Sequence, residues 1–163
     1  MTDWRQARLE DAAAIAALSC ALLPDYPEDA AVFAERIALC PEGCHVLEGD
    51  EGISGYVISH PWRRYLIPPL NAPLGALPDA ADCWYIHDMG LGPAVRGAGA
   101  GRRIIDHLAE VARRHGLPIL ALVAVGGAAA YWARCGFTAV LTPEMREALG
   151  GYGDQSVYME RAV

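Results

Sequence analysis

From Asp11 to Leu22 the apolar residues Ile15, Leu18 and Leu22 recur at spacings of three and four among many alanines, the period of a helix with one apolar stripe. Pro27 to Cys40 repeats the period with Phe33, Ile37 and Cys40, and Pro27 suits an opening turn. The period then shortens. Cys44 to Glu48 and Ile53 to His60 are β-branched or aromatic-containing runs joined by Gly49-Asp50-Glu51-Gly52, which reads as a hairpin. Between Pro61 and Asp82 the prolines Pro61, Pro68, Pro69, Pro73 and Pro78 bar a sustained helix or central strand, so a long loop is expected.

Cys83 to Leu91 is a strand, and Gly99 to His115 a helix with Ile104, Leu108, Val111 and Ala112 inward. Arg113 and Arg114 sit in its last turn, Gly116 at its C-cap and Pro118 beyond, so its end is well marked. The apolar run from Ile119 to Val125 suits a strand buried on both faces, which makes strand, helix and strand a parallel βαβ unit. A short helix over Ala128 to Arg134 and strands over Phe137 to Leu141 and Ser156 to Arg161 complete a mixed α/β sheet with helices on both faces. With 163 residues and no linker, the expectation is one domain over 1–163.

Composition narrows the function classes. Hydrophobic residues at 53% against 20% charged describe a chain that can bury a core. A net charge of −7, with no long basic run, argues against nucleic acid as a partner and mildly favours cationic ones. Cys20, Cys40, Cys44, Cys83 and Cys135 contain no C-x-x-C pair, and the histidines show no i, i+4 spacing, so neither a disulfide framework nor a metal is assigned. No signal peptide or membrane-length apolar run is read, so the expectation is a cytoplasmic protein with no membrane partner.

The informative segment runs from Met89 to Gly101, between the strand and the long helix. Gly97, Gly99 and Gly101 let the backbone turn sharply, and the helix opening adds unpaired N–H donors and the positive end of a dipole. Together they make a diphosphate cradle, with a purely structural turn as the plain alternative. Arg102 and Arg103 in the first turn are offset by a bound anion or are simply solvated. A P-loop is excluded because arginines follow Gly101, and the glycine spacing misses the dinucleotide fingerprint.

The run Arg96-Gly97-Ala98-Gly99-Ala100-Gly101, after a strand ending Gly90-Leu91-Gly92-Pro93, resembles the acetyl-CoA motif of the GCN5-related N-acetyltransferase (GNAT) family. Tyr131-Trp132-Ala133-Arg134-Cys135-Gly136-Phe137 is similar to that family's second signature, and the likeness covers Cys83 to Leu141. The resemblance implies an acyl-CoA N-acyltransferase fold, with a mostly antiparallel sheet splayed at the cofactor site and a strand, two helices and a hairpin leading into it. It also implies that the backbone of Met89, Gly90 and Leu91 holds the pantetheine arm like an added strand. Arg96, Gly97, Ala98, Gly99, Ala100 and Gly101 would hold the diphosphate of acetyl-CoA, the cosubstrate.

Attack of an amine on a thioester requires loss of its proton. The frame Tyr85-Ile86-His87-Asp88 resembles the Tyr-x-Glu-Asp frame of spermidine/spermine-type members, with His87 in the place of the glutamate base. A histidine can accept a proton at neutral pH, so His87 is the candidate base or the holder of a water that is; a structural hydrogen bond is the alternative. The family's thiolate acid, a tyrosine four residues before the glycine of Gly-Phe, is Trp132 here, and its usual asparagine is Val125. Tyr131 is the neighbouring candidate acid, rotated by about 100° on a helix, while Trp132 packs along the pantetheine. Cys135 reads as core.

The expected reaction moves an acetyl group to a primary amine of a small molecule or protein. A catalytically weak acyl-CoA-binding or sensing module is the alternative, motivated by Trp132. The proline-rich loop, with Trp62, Arg63, Arg64, Tyr65 and Leu70, is a lid over the acceptor site, a dimer contact or a plain excursion. Arg63 and Arg64 point to an acceptor with a carboxylate, overall acidity to a polyamine; a homodimer is in keeping with the resemblance.

Overall fold

A computed structural model describes residues 2–153 and 155–163. Among the described residues, seven strands form one sheet in the order β1-β2-β3-β4-β5-β7-β6. They are β1 (Asp3–Gln6), β2 (Cys44–Gly49), β3 (Gly52–Trp62), β4 (Cys83–Leu91), β5 (Ile119–Ala124), β6 (Thr138–Ala139) and β7 (Val157–Ala162). Every neighbouring pair is antiparallel except β4–β5, as a crossover helix requires. Helices cover both faces. Ile15 of α1 (Ala12–Leu22) and Phe33 and Ile37 of α2 (Ala30–Leu39) pack on Val46, Tyr56 and Ile58. Ile104, Ile105 and Leu108 of α3 (Ala100–Arg114) bury Val57, Trp84, Ile86 and Leu122 on the other face.

The one parallel ladder sets the architecture of the site. β4 and β5 pair only over Trp84–Leu120, Tyr85–Ala121 and Ile86–Leu122, after which Val123 and Ala124 pair with β7 alone. β4 continues to Leu91 against β3, so its other edge is uncovered from His87 onward. The sheet therefore splays between the ends of β4 and β5.

Several boundaries differ from the sequence reading, each for a local reason. α2 starts at Ala30, because Asp29 is its extended N-cap and Glu28 and Asp29 are drawn towards Asn71. β3 runs through Pro61 to Trp62, which is tolerated because β2 ends at Cys44 opposite Ile58 and demands no N–H from Pro61. β6 is shorter than expected, since Thr142 caps Met145 N–H at 3.2 Å and Pro143 opens α5 (Pro143–Ala148), a helix the apolar pattern did not predict. The short helix α4 (Ala129–Arg134) lies where the period placed it.

Candidate active site

The ladder between β3 and β4 carries a bulge at the point where the sheet opens. Ile58 pairs with Asp88 and Ser59 with Ile86, which leaves His87 unpaired. An extra residue bends the strand and re-aims its side chains. His87 and Asp88 consequently both face the α1–α2 side: Asp88 meets Ser19 of α1 and Tyr56, and His87 meets Glu28 just ahead of α2. A regular strand would send two successive side chains to opposite faces.

His87 Nε2 lies 3.0 and 3.1 Å from the two Glu28 oxygens, and the side chains are only 2% and 4% exposed. Burial pushes the Glu28 carboxyl upward, but the hydrogen bond and charge of His87, with the Asn71 N–H, outweigh it and hold the acid below its ordinary range. An ionised carboxylate only accepts, so Nε2 carries the hydrogen. Whenever the ring is neutral its lone pair is therefore on Nδ1, which is enclosed and has no hydrogen-bond partner among the described residues. Asp88 accepts from Tyr56 Oη at 2.8 Å and Ser19 Oγ at 3.3 Å, yet enclosure dominates and pushes its pKa up to about 6.

Both side chains line a cavity of about 100 Å³ in the gap between β4 and β5. Its wall includes Leu23, Tyr26, Glu28, Leu70 and Tyr152, and also Met89, Leu122, Val125 and Trp132. Leu70 comes from the proline-rich loop, which is tied down along its length. Tyr152 Oη donates to Pro68 O at 2.5 Å, Asn71 N–H to Glu28 at 3.1 Å, and Leu74 and Gly75 N–H to Glu35 at 2.7 and 3.1 Å. Arg64, read from the sequence as a carboxylate binder, instead grips both oxygens of Glu160 at 2.7 and 2.8 Å.

Beyond Leu91 the chain turns at Gly92, and Arg96 Nε donates back to Leu91 O at 2.9 Å. Gly97 and Gly99 hold φ of +80° and +79°, a region that L side chains rarely enter, and a Cβ at Gly97 would project into open space. Gly99 caps α3 without any side-chain partner, so the first-turn N–H groups are left for a ligand. Glycines at positive φ, an uncapped helix opening and an uncovered strand edge fit an acyl-CoA diphosphate and pantetheine arm. Arg102 and Arg103 are tethered to the carbonyls of Arg134 and Ala98. Two of the glycines also answer to packing. A Cβ at Gly90 would lie 2.5 Å from the Tyr56 ring, and one at Gly101 would lie 2.2 Å from the Tyr131 hydroxyl.

Of the catalytic and cofactor-binding candidates of the sequence, His87, Met89 and Trp132 meet in the cavity wall, joined there by Leu70, Asp88 and Val125. Trp132 is buried between Tyr131 and Phe137, with ring centroids 5.3 Å away on each side. Tyr131 is not part of that wall as described; its hydroxyl lies at Gly101, beside Leu91. Sequence reasoning missed Glu28, Tyr26 and Tyr152, which no motif marks. Among the described residues no group of three His, Cys, Asp or Glu side chains could hold a metal ion, and no helix is long and apolar enough to cross a membrane.

Comparison with known proteins agrees with this geometry. No curated protein sequence matches the chain. Among solved structures it is similar to N-acetylglutamate synthase from Neisseria gonorrhoeae, complexed with coenzyme A and N-acetyl-glutamate, at TM-score 0.73 and 21% identity over 99% of this chain. It spans only 35% of that longer enzyme. Arabidopsis thaliana Naa50, in complex with a bisubstrate analogue, superposes at 0.72 and 13% identity, covering 99% of both chains. The loading domain of CurA from Lyngbya majuscula does so at 0.78 and 13%, covering 99% of this chain and 98% of that one. At these identities the likeness establishes the acyl-CoA N-acyltransferase fold. The family model for the Acetyltransferase (GNAT) family matches residues 7–137, and the chain belongs to that family of acyltransferases.

Proposed function

We propose that the protein is an N-acetyltransferase that moves the acetyl group of acetyl-CoA to a primary amine, with the whole reaction carried by one domain. The observation that carries this reading is the bulge, which turns a Glu28-anchored His87 and Asp88 together into the gap between β4 and β5. In this reading the uncovered edge of β4 at Met89, Gly90 and Leu91 accepts the pantetheine amides. Arg96 to Gly101 enclose the diphosphate, with the N–H groups of the α3 opening as donors.

Asp88, ionised above about pH 6, attracts the acceptor's ammonium into the cavity. His87 then takes one proton from it at Nδ1, directly or through a water, while Glu28 fixes the tautomer and steadies the imidazolium formed. The freed lone pair attacks the thioester carbonyl, a C–N bond forms, the C–S bond breaks with its electron pair on sulfur, and the second proton lost from nitrogen passes to solvent water. Tyr131 is the acid assigned to that thiolate. Its support is the position of its hydroxyl beside Leu91, and burial followed by Cys135 pushes its pKa up to about 12, so it keeps a proton to give at neutral pH.

Thiol release from acetyl-CoA across a panel of primary amines tests the reading. Amine-dependent release is expected, and His87→Ala should lower kcat/KM on the order of 100-fold and alter its pH profile. Stabilisation by acetyl-CoA without turnover of any amine would instead support the sensing module that Trp132, in the place of a tyrosine, brings to mind.

A further inference from the structure

All 13 Lys-plus-Arg positions of this protein are arginine. Arg5 is held by Asp11 and Glu48, Arg64 by Glu160, and Arg113 by Glu110. Arg96, Arg102 and Arg103 stand at the glycine-rich loop, on carbonyls of Leu91, Arg134 and Ala98. No arginine lines the cavity among the described residues.

Arg36 is the cation that reaches nearest in effect, since its charge lowers the pKa of Glu28. It is nevertheless completely buried and outside the cavity wall, with Nη1 committed to Glu35 at 3.0 Å and Ala72 O at 2.9 Å and with Nε and Nη2 unpartnered among the described residues. His60, whose ring lies tilted 6.4 Å from that of His87, offers no positive charge either, because burial pushes its pKa down to about 3. The titratable groups that do face the cavity are the carboxyls of Glu28 and Asp88, with the imidazole of His87 hydrogen-bonded to Glu28. Around them stand Leu23, Leu70 and the rings of Tyr26 and Tyr152, under a loop tied on both sides of Leu70.

Such a site attracts an ammonium, and its wall offers an anion no arginine to pair with. A carboxylate one carbon from the amine would be buried beside two acids without a partner, a costly arrangement for any ion. The ammonium meets carboxylates and aromatic faces, and the remainder of the molecule meets apolar walls. From this we infer the acceptor class: a compact primary monoamine with an alkyl or aryl body and no carboxylate near the nitrogen, as opposed to an amino acid. The inference rests on the N-acetyltransferase reading and narrows it.

Matched pairs test it: isopentylamine against leucine and phenethylamine against phenylalanine, with CoA thiol release from acetyl-CoA as the readout. Each amine should exceed its amino acid in kcat/KM by about 100-fold or more. Leu70→Arg, which adds a cation to the wall, should narrow that ratio by about 10-fold, while Leu70→Gln should leave it wide. Amino acids used as well as or better than their amines overturn the assignment of the acceptor while acetyl transfer stands. If acetyl-CoA raises the Tm yet no amine or amino acid releases CoA, the transferase reading fails and the acceptor class goes with it.

Discussion

Asp88→Asn separates the stability of this site from its activity. Enclosure moves the Asp88 pKa from 3.8 to about 6, against the opposing effects of His87, Tyr56 and Ser19. Below the lower value the acid is protonated whether the chain is folded or unfolded, and it costs nothing. Between the two values the unfolded chain releases the proton and the folded chain retains it, so rising pH favours unfolding. Above about 6 both states are ionised and the full cost remains, at most ~3 kcal/mol because one edge of the residue borders the cavity. Asparagine keeps an acceptor for the Tyr56 hydroxyl and removes the ionisation. The variant should therefore gain about 2 kcal/mol near pH 8, roughly 4–8 °C in Tm, and little near pH 4. Its kcat/KM should fall by about 10-fold as the attraction for the ammonium is lost. Thermal unfolding of both proteins across that pH range checks the argument. Equal or lower stability of the variant near pH 8, or a gain independent of pH, refutes it.

Three further substitutions probe the parts separately. Glu28→Gln retains an acceptor for His87 Nε2 but removes the charge that steadies the imidazolium, so kcat should drop about 10-fold with KM little changed, read from steady-state kinetics. Gly101→Ala drives a Cβ against the Tyr131 hydroxyl and should cost about 1–3 kcal/mol in denaturant unfolding, a loss that the additional Tyr131→Phe substitution recovers in large part. Gly97→Ala strains the backbone by about 1 kcal/mol and points a methyl into the open space of the loop, so the Kd for CoA should rise about 10-fold by calorimetry.

What was legible in the sequence was local. The limits of α3 follow from Gly99, the paired arginines and Gly116, signals that lie within a turn of the boundary they set. Thr142-Pro143-Glu144 is an equally local helix start, and attention to capping in place of apolar period would have revealed α5. The bulge is different, since it is a mismatch of register between β3 and β4 and exists in neither strand alone. His87 stands out in the sequence only through a family likeness. Its anchor Glu28, 59 positions away, looks in the sequence like any acid at a helix opening. Gly101 shows the opposite lesson: it reads as part of a phosphate cradle, while in space its bare Cα makes room for Tyr131.

The three-rung ladder between β4 and β5 makes the sheet two plates joined along a narrow seam, β1 to β4 on one side and β5 to β7 on the other. A molecule whose amides dock on the free edge of β4 while its body rests against α4 spans that seam and completes what the chain leaves unzipped. Occupancy then becomes a term in cohesion, growing with ligand concentration by mass action. Amide hydrogen exchange should slow in both plates at once on saturation, with the largest change in Val123, Ala124 and the last residues of β4.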